Sequence, residues 1–170
     1  MGLIACIKSE YLYLTKRTKG NALKMIYLFC MSPAFRVSVY ICWMQHTNNM
    51  FKRKLIRNHL EVKYSIVVDQ HCKIGSHLRL DHFVGVVIGN GSIIGDNVKI
   101  YQNVTIGQKN NQYPTIGNNV IIYAGAKILG GIIIGDDSII GANAVVLKDV
   151  PCNSVAVGIP AKIISRKDNE

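Results

Sequence analysis

Two residues able to move a proton, Asp81 and His82, stand side by side where a regular pattern breaks. On both sides of them an aliphatic residue returns every six positions, but between Leu80 and Ile88 the step is eight. Imidazole, with an ordinary pKa of about 6.5, is matched to taking a proton from a hydroxyl at neutral pH. A second break separates Ile106 from Ile116 and adds four residues within G-Q-K-N-N-Q-Y-P-T. A perfectly regular coil offers flat walls, so both breaks are expected to lift side chains off the wall. His71, Cys72, His77 and His82 resemble a metal cluster on paper. On a three-sided coil, however, six residues carry the chain to the next face, so these side chains diverge and no metal is expected. His46 and His59 read as ordinary helix-surface residues.

The repeat that must position these residues runs through Val62, Val68, Ile74, Leu80, Ile88, Ile94, Ile100, Ile106, Ile116, Ile122, Ile128, Ile134, Ile140 and Val146. Small or apolar residues follow four positions later at Cys72, Val98, Val104, Val120, Ala126, Ser138 and Ala144, and glycine directly follows many ladder positions. Six is not a helical period, and the β-branched enrichment argues for short strands. The expected architecture is mainly β, a parallel β-helix built of hexapeptides, in which each coil buries its inward residue against the next. At about 1.5–3 kcal/mol per buried aliphatic side chain, such a ladder supplies ample stability. Residues 1–60 read instead as a short helical region, with Ser32-Pro33 as an N-cap and first-turn proline. The expected organisation is helices over 1–60, the β-helix over 61–165 and a tail over 166–170.

Composition bounds the rest. The chain has 170 residues, 49% of them hydrophobic, enough for a real core. Its net charge of +10 is concentrated in residues 1–60, where ten Lys/Arg face the single acid Glu10. No basic motif interleaved with aromatics suggests nucleic acid. The basic face suits an anionic substrate or peripheral contact with an anionic membrane. Lys24, Pro33 and Arg36 interrupt the apolar stretch Asn21–Met44 before it reaches membrane-spanning length. Five scattered cysteines without a CxxC read as reduced thiols of a cytoplasmic protein.

The motifs L-D-H-x3-G-V-V-I-G, I-Y-Q-N-V-T-I-G and V-V-L-K-D-V-P…V-G-I-P-A-K-I resemble the hexapeptide-repeat acyltransferases with a left-handed β-helix, closest to the serine acetyltransferase branch. The resemblance covers about residues 62–165. It implies a homotrimer with sites between adjacent β-helices, acetyl-CoA as donor and His82 as the general base for attack of a hydroxyl on the thioester. It implies Asp81 and Gln102 near the acceptor. In the branch an aspartate about one coil earlier orients the base. Ungapped alignment puts Val67 there and Asp69 two residues off, so either Asp69 or a backbone carbonyl holds the imidazole. Ala124 and Ala142 match positions along the pantetheine arm, Lys148 and Lys162 match positions near the nucleotide phosphates, and the amides of Gly107 and Gln108 are candidates for the oxyanion.

The chain departs from the branch in the second insertion. Tyr113 stands where serine acetyltransferases have a histidine, and Gln112 where they have an arginine, which removes partners for an amino-acid carboxylate. The expected acceptor is therefore a sugar of a cell-surface polysaccharide or its precursor, with L-serine as the alternative. A non-catalytic trimeric scaffold on the same fold is the alternative of another class.

Overall fold

The computed structural model describes residues 2–16 and 21–165; Arg17, Lys19 and the expected tail at 166–170 lie outside the described residues. Four helices come first: α1 (Leu3–Thr15), α2 (Ala22–Met31), α3 (Pro33–His46) and α4 (Met50–Tyr64). The Ser32 hydroxyl accepts from the Phe35 amide, 3.2 Å, so the cap and proline expected from the sequence open α3. Asn49 caps α4 in the same way. Among the described residues no single helix is long and apolar enough to cross a membrane; α2 and α3 pass that test only as a pair, bent by 108°.

The strands that follow are numbered in chain order and sort into three parallel stacks. The first face holds β1 (Val67–Val68), β4 (Val87–Ile88), β7 (Thr105–Gly107), β10 (Lys127–Leu129) and β13 (Val145–Val146). The second holds β2 (Lys73–Ile74), β5 (Ile93–Ile94), β8 (Thr115–Ile116) and β11 (Ile133–Ile134). The third holds β3 (Arg79–Leu80), β6 (Lys99–Ile100), β9 (Ile121–Ile122), β12 (Ile139–Ile140), β14 (Ser154–Val157) and β15 (Lys162–Ser165). Only the last pair, β14 with β15, is antiparallel. The chain visits the three faces in rotation, as a solenoid of about four turns does.

The ladder occupies the interior as its period requires. Ile88, Ile106 and Ile128 pair down one face, Ile94, Ile116 and Ile134 down another, and Ile100, Ile122 and Ile140 down the third, all essentially buried. Val62 is the exception. It lies on α4, 87% exposed, because that helix runs on to Tyr64 and stops at Ser65 in a left-handed cap. The first ladder residue is therefore Val68.

The corners explain the recurring glycine and Asx residues. At the edge between the second and third faces, side chains of one coil accept amides of the coil before. Asp96 Oδ1 takes the Ser76 N–H at 2.6 Å, Asn118 Oδ1 that of Asp96 at 2.8 Å, and Asp136 Oδ1 that of Asn118 at 2.7 Å. These bonds satisfy turn amides that the strands leave unpaired. Gly95 is needed there because a β-carbon would lie 2.6 Å from the Gly117 carbonyl oxygen.

The cysteine expectation is corrected. Cys6 of α1 and Cys42 of α3 are joined as a disulfide, while Cys30, Cys72 and Cys152 are free. Helix packing brings together two residues that are 36 apart in sequence, which no spacing motif announces. His59 is corrected as well. It is not an ordinary surface residue but lies half-buried within an aromatic group, 4.7 Å from the Tyr40 ring and 5.8 Å from the Tyr64 ring.

Candidate active site

The first insertion falls between β3 and β4, on the edge joining the third face to the first. Asn103 donates to the Val84 carbonyl and Gly125 to the Gln102 carbonyl, so Val84 stacks over Gln102 and Gln102 over Ala124. Tyr101 directly follows β6 and Asp81 directly follows β3, so these two also stack. The two residues without a counterpart in the next coil are therefore His82 and Phe83. Phe83 turns inward against the core and meets the Tyr64 ring edge-on, with centroids 5.9 Å apart. His82 turns outward and is exposed, 6.4 Å from the Tyr101 ring. The insertion works as an anchor and an arm: the partly buried phenyl holds the loop and the imidazole stands clear of the wall.

Asp81 has two partners. Its carboxylate accepts from Arg79 Nε at 2.6 Å and from Lys99 Nζ at 2.8 Å. Arg79 and Lys99 are paired neighbours on β3 and β6, so the sheet register itself places two cations beside one acid. Burial would raise the Asp81 pKa, but the hydrogen bonds and charges of Lys99 and Arg79 outweigh it and hold the carboxyl below the usual aspartate range. The hydrogen bond to Asp81 in turn raises Lys99.

The folded-state value of Asp81 lies below the unfolded one, so the stability this cluster contributes is complete above the ordinary aspartate value of about 3.9. It is lost as pH falls through the lower folded value. Thermal melts of wild type and Asp81→Asn are expected to differ at neutral pH and to converge under acid. A constant gap down to the lowest pH would refute the assignment.

Along the same edge lie Gln102, Ala124 and Ala142, connected by the Gly125 and Asn143 amide bonds to successive coils. The Gln102 side-chain oxygen is buried with no hydrogen-bond partner among the described residues. Tyr101 and Tyr123 stack here at 5.2 Å and 13°, and Lys99 lies over the Tyr101 ring at 4.8 Å. The edge thus combines a free imidazole, two cations, an aromatic pair and small residues on a rigid wall.

The other expected residues lie elsewhere in the chain. Asp69 caps its own turn, accepting the His71 amide at 3.1 Å and facing the His71 ring at 3.5 Å. No hydrogen bond joins it to His82, because the two stand at opposite ends of the first-face strands. Val67, which the alignment sets at the orienting position, has no polar side-chain atom to offer. Gly107 and Gln108 lie on the edge joining the first face to the second. There Lys109 and Gln112 form an antiparallel bridge around Asn110-Asn111, both with positive φ, which makes the second insertion a tight hairpin. Tyr113 packs over the Gly89–Gly91 turn: β-carbons there would each lie 3.1 Å from its ring. Lys148 shares a cavity of about 340 Å³ with Ala161 and Ile163, whereas Lys162 is not among that cavity's lining residues.

Sequence reasoning missed Phe83, Tyr101, Tyr123 and the two cations. Their signal was the coil register: Arg79 and Lys99 each precede a ladder residue, and Tyr101 and Tyr123 each follow one.

A parallel β-helix of six-residue steps, broken by a histidine-bearing insertion, is the architecture of the hexapeptide-repeat transferases. Residues 113–148 match the family described as bacterial transferase hexapeptide (six repeats). The serine acetyltransferase of Helicobacter pylori is 51% identical over 105 residues, which are 59% of this chain and 61% of that protein. Among solved structures, a serine acetyltransferase in complex with CoA has a TM-score of 0.79 at 31% identity, covering 95% of this chain and 69% of that one. The Neisseria gonorrhoeae serine acetyltransferase in complex with serine has a TM-score of 0.80 at 26% identity, covering 96% and 69%. The chain belongs to the hexapeptide-repeat acyltransferases of the serine acetyltransferase type. It spans about three-fifths of the length of the Helicobacter relative.

Proposed function

We propose that this protein is an O-acetyltransferase that moves the acetyl group of acetyl-CoA to the hydroxyl of L-serine. The observation that carries this is the half-identical match to a serine acetyltransferase over 105 residues. Two relatives of the same fold bind CoA and serine. These relatives favour serine over the polysaccharide sugar expected from the sequence. That expectation rested on the histidine absent at Tyr113 and the arginine absent at Gln112, and the tyrosine has a packing task of its own on the Gly89–Gly91 turn. Arg79 and Lys99 outnumber the one carboxylate between them, so the edge beside His82 keeps a net positive charge suited to an amino-acid carboxylate.

In this reading His82 takes the proton from the serine hydroxyl as its oxygen attacks the thioester carbonyl carbon. The carbonyl oxygen becomes an oxyanion, the C–S bond breaks, and the imidazolium returns its proton to the departing thiolate. The products are the O-acetyl ester and free CoA. Gln102, with its unpartnered oxygen, lies next to this reaction, and Ala124 and Ala142 leave the edge open for the pantetheine arm. The Gln108–Tyr113 hairpin stands on a different edge from His82, so one copy alone cannot close over its own base. A homotrimer, with the hairpin of one copy beside His82 of the next, supplies the missing wall.

The test is thiol release from acetyl-CoA with L-serine and with a panel of sugars in parallel. Serine-dependent release is expected. Release with a sugar alone would restore the polysaccharide reading, and silence with every acceptor would favour the scaffold.

A further inference from the structure

Away from the proposed active site, α1 and α3 face each other with two pairs of ligand-type residues. Cys6 and Glu10 are one turn apart on α1, and Cys42 and His46 are one turn apart on α3. Residues four apart share a helix face, so the two faces meet with four such groups. They line a single cavity of about 220 Å³ together with Ser38, Gln45 and Ser76. The two sulfurs and a His46 ring nitrogen all lie within 4.8 Å of one another. The Cys42 sulfur is 3.9 Å from His46 Nδ1, and that nitrogen donates to the Cys42 carbonyl oxygen at 2.8 Å, which holds the ring beside the sulfurs and leaves Nε2 as the nitrogen with a lone pair for a cation.

We propose that, in the reduced chain, Cys6, Cys42 and His46 bind a borderline-soft divalent cation such as zinc. Tetrahedral zinc with Zn–S near 2.3 Å and Zn–N near 2.0–2.1 Å sets ligand atoms about 3.5–3.8 Å apart. The two sulfurs and a His46 ring nitrogen already lie within 4.8 Å of one another, and a Cα–Cα distance of 6.6 Å between the cysteines leaves room for the sulfurs to part. Two thiolates and a neutral imidazole balance the charge of the cation. The fourth position opens into this cavity, where water can fill it. A disulfide alone gives no reason for a histidine one turn after Cys42 with its ring beside the sulfurs. Glu10 meanwhile holds the His77 amide at 2.8 Å, which ties α1 to the first coil of the β-helix.

The disulfide and the metal site are alternative states of the same two sulfurs. A dithiol reductant gives two electrons and two protons to split the bond, leaves as its own disulfide and yields two thiols. One divalent cation then displaces both thiol protons.

Cobalt(II) titration of the reduced 170-residue chain tests this, with cobalt standing in for zinc. Thiolate-to-cobalt absorption saturating at about one ion per chain is expected, bleached by zinc and absent from the oxidised protein. Cys6→Ser, Cys42→Ser and His46→Gln should each weaken binding at least about tenfold, the lower bound for losing even an outer partner of a metal ligand. Cys30→Ser and Cys152→Ser should leave it unchanged. Lack of the absorption in reduced wild type would overturn the proposal, whatever the variants do. Wild-type binding by Cys6→Ser, its folding verified by circular dichroism, would overturn it equally.

Discussion

His82→Ala is expected to lower kcat for acetyl transfer by about 10²–10⁴-fold, the range supplied by a positioned general base. The thermal midpoint should hardly move, because the ring is exposed and Phe83, not His82, anchors the loop. KM for acetyl-CoA should also stay near the wild-type value if the donor lies along the Ala124 and Ala142 side of the edge. Steady-state kinetics with a thiol-trapping reagent separate these quantities. A variant that keeps a third or more of wild-type kcat would remove His82 as the base. A variant that loses activity and stability together would make the loop, rather than the proton transfer, responsible.

Ile122→Ala is expected to cost about 2–5 kcal/mol, the range for truncating a buried aliphatic side chain to alanine. Ile122 is fully buried at the centre of the third face, paired with Ile100 on one side and Ile140 on the other. In a solenoid each coil is stabilised only by its neighbours, so the cavity weakens both contacts at once. At about 2–4 °C per kcal/mol for a chain of this size, the thermal midpoint should fall by roughly 4–20 °C. Ile133→Ala provides the contrast. Ile133 points outward from β11, 58% exposed, and its truncation should stay within about 0.5 kcal/mol. Equal losses at the two positions would mean that the inward and outward assignments are wrong.

Both predictions stand on features of unequal legibility. The six-residue spacing alone identified the inward row from Val68 to Val146, because the period reports which residues face the axis however the coils are joined. It also located the two insertions, since a missed beat at Leu80–Ile88 or Ile106–Ile116 needs no three-dimensional knowledge. The same spacing misled at Val62, where a helical surface residue happened to fall on the beat. Helix and coil share that boundary, and only the left-handed Ser65 cap shows where one stops.

The tertiary structure decided what each lifted residue meets. Asp81 read as an acid near the acceptor, and the β3–β6 register adds Arg79 and Lys99 on its two oxygens. Asp69 read as a possible support for His82, and its own turn uses it for His71. Tyr113 read as a departure from the branch's histidine, and the fold adds that its ring covers a glycine turn. Cys6, Cys42 and His46 carried no sequence signal together, because helix packing rather than spacing brings them within reach. A local repeat fixes direction, inward or outward, since steric periodicity acts residue by residue. Partners are fixed only when distant segments pack, so the chemistry of each outward group could be read only from the folded chain.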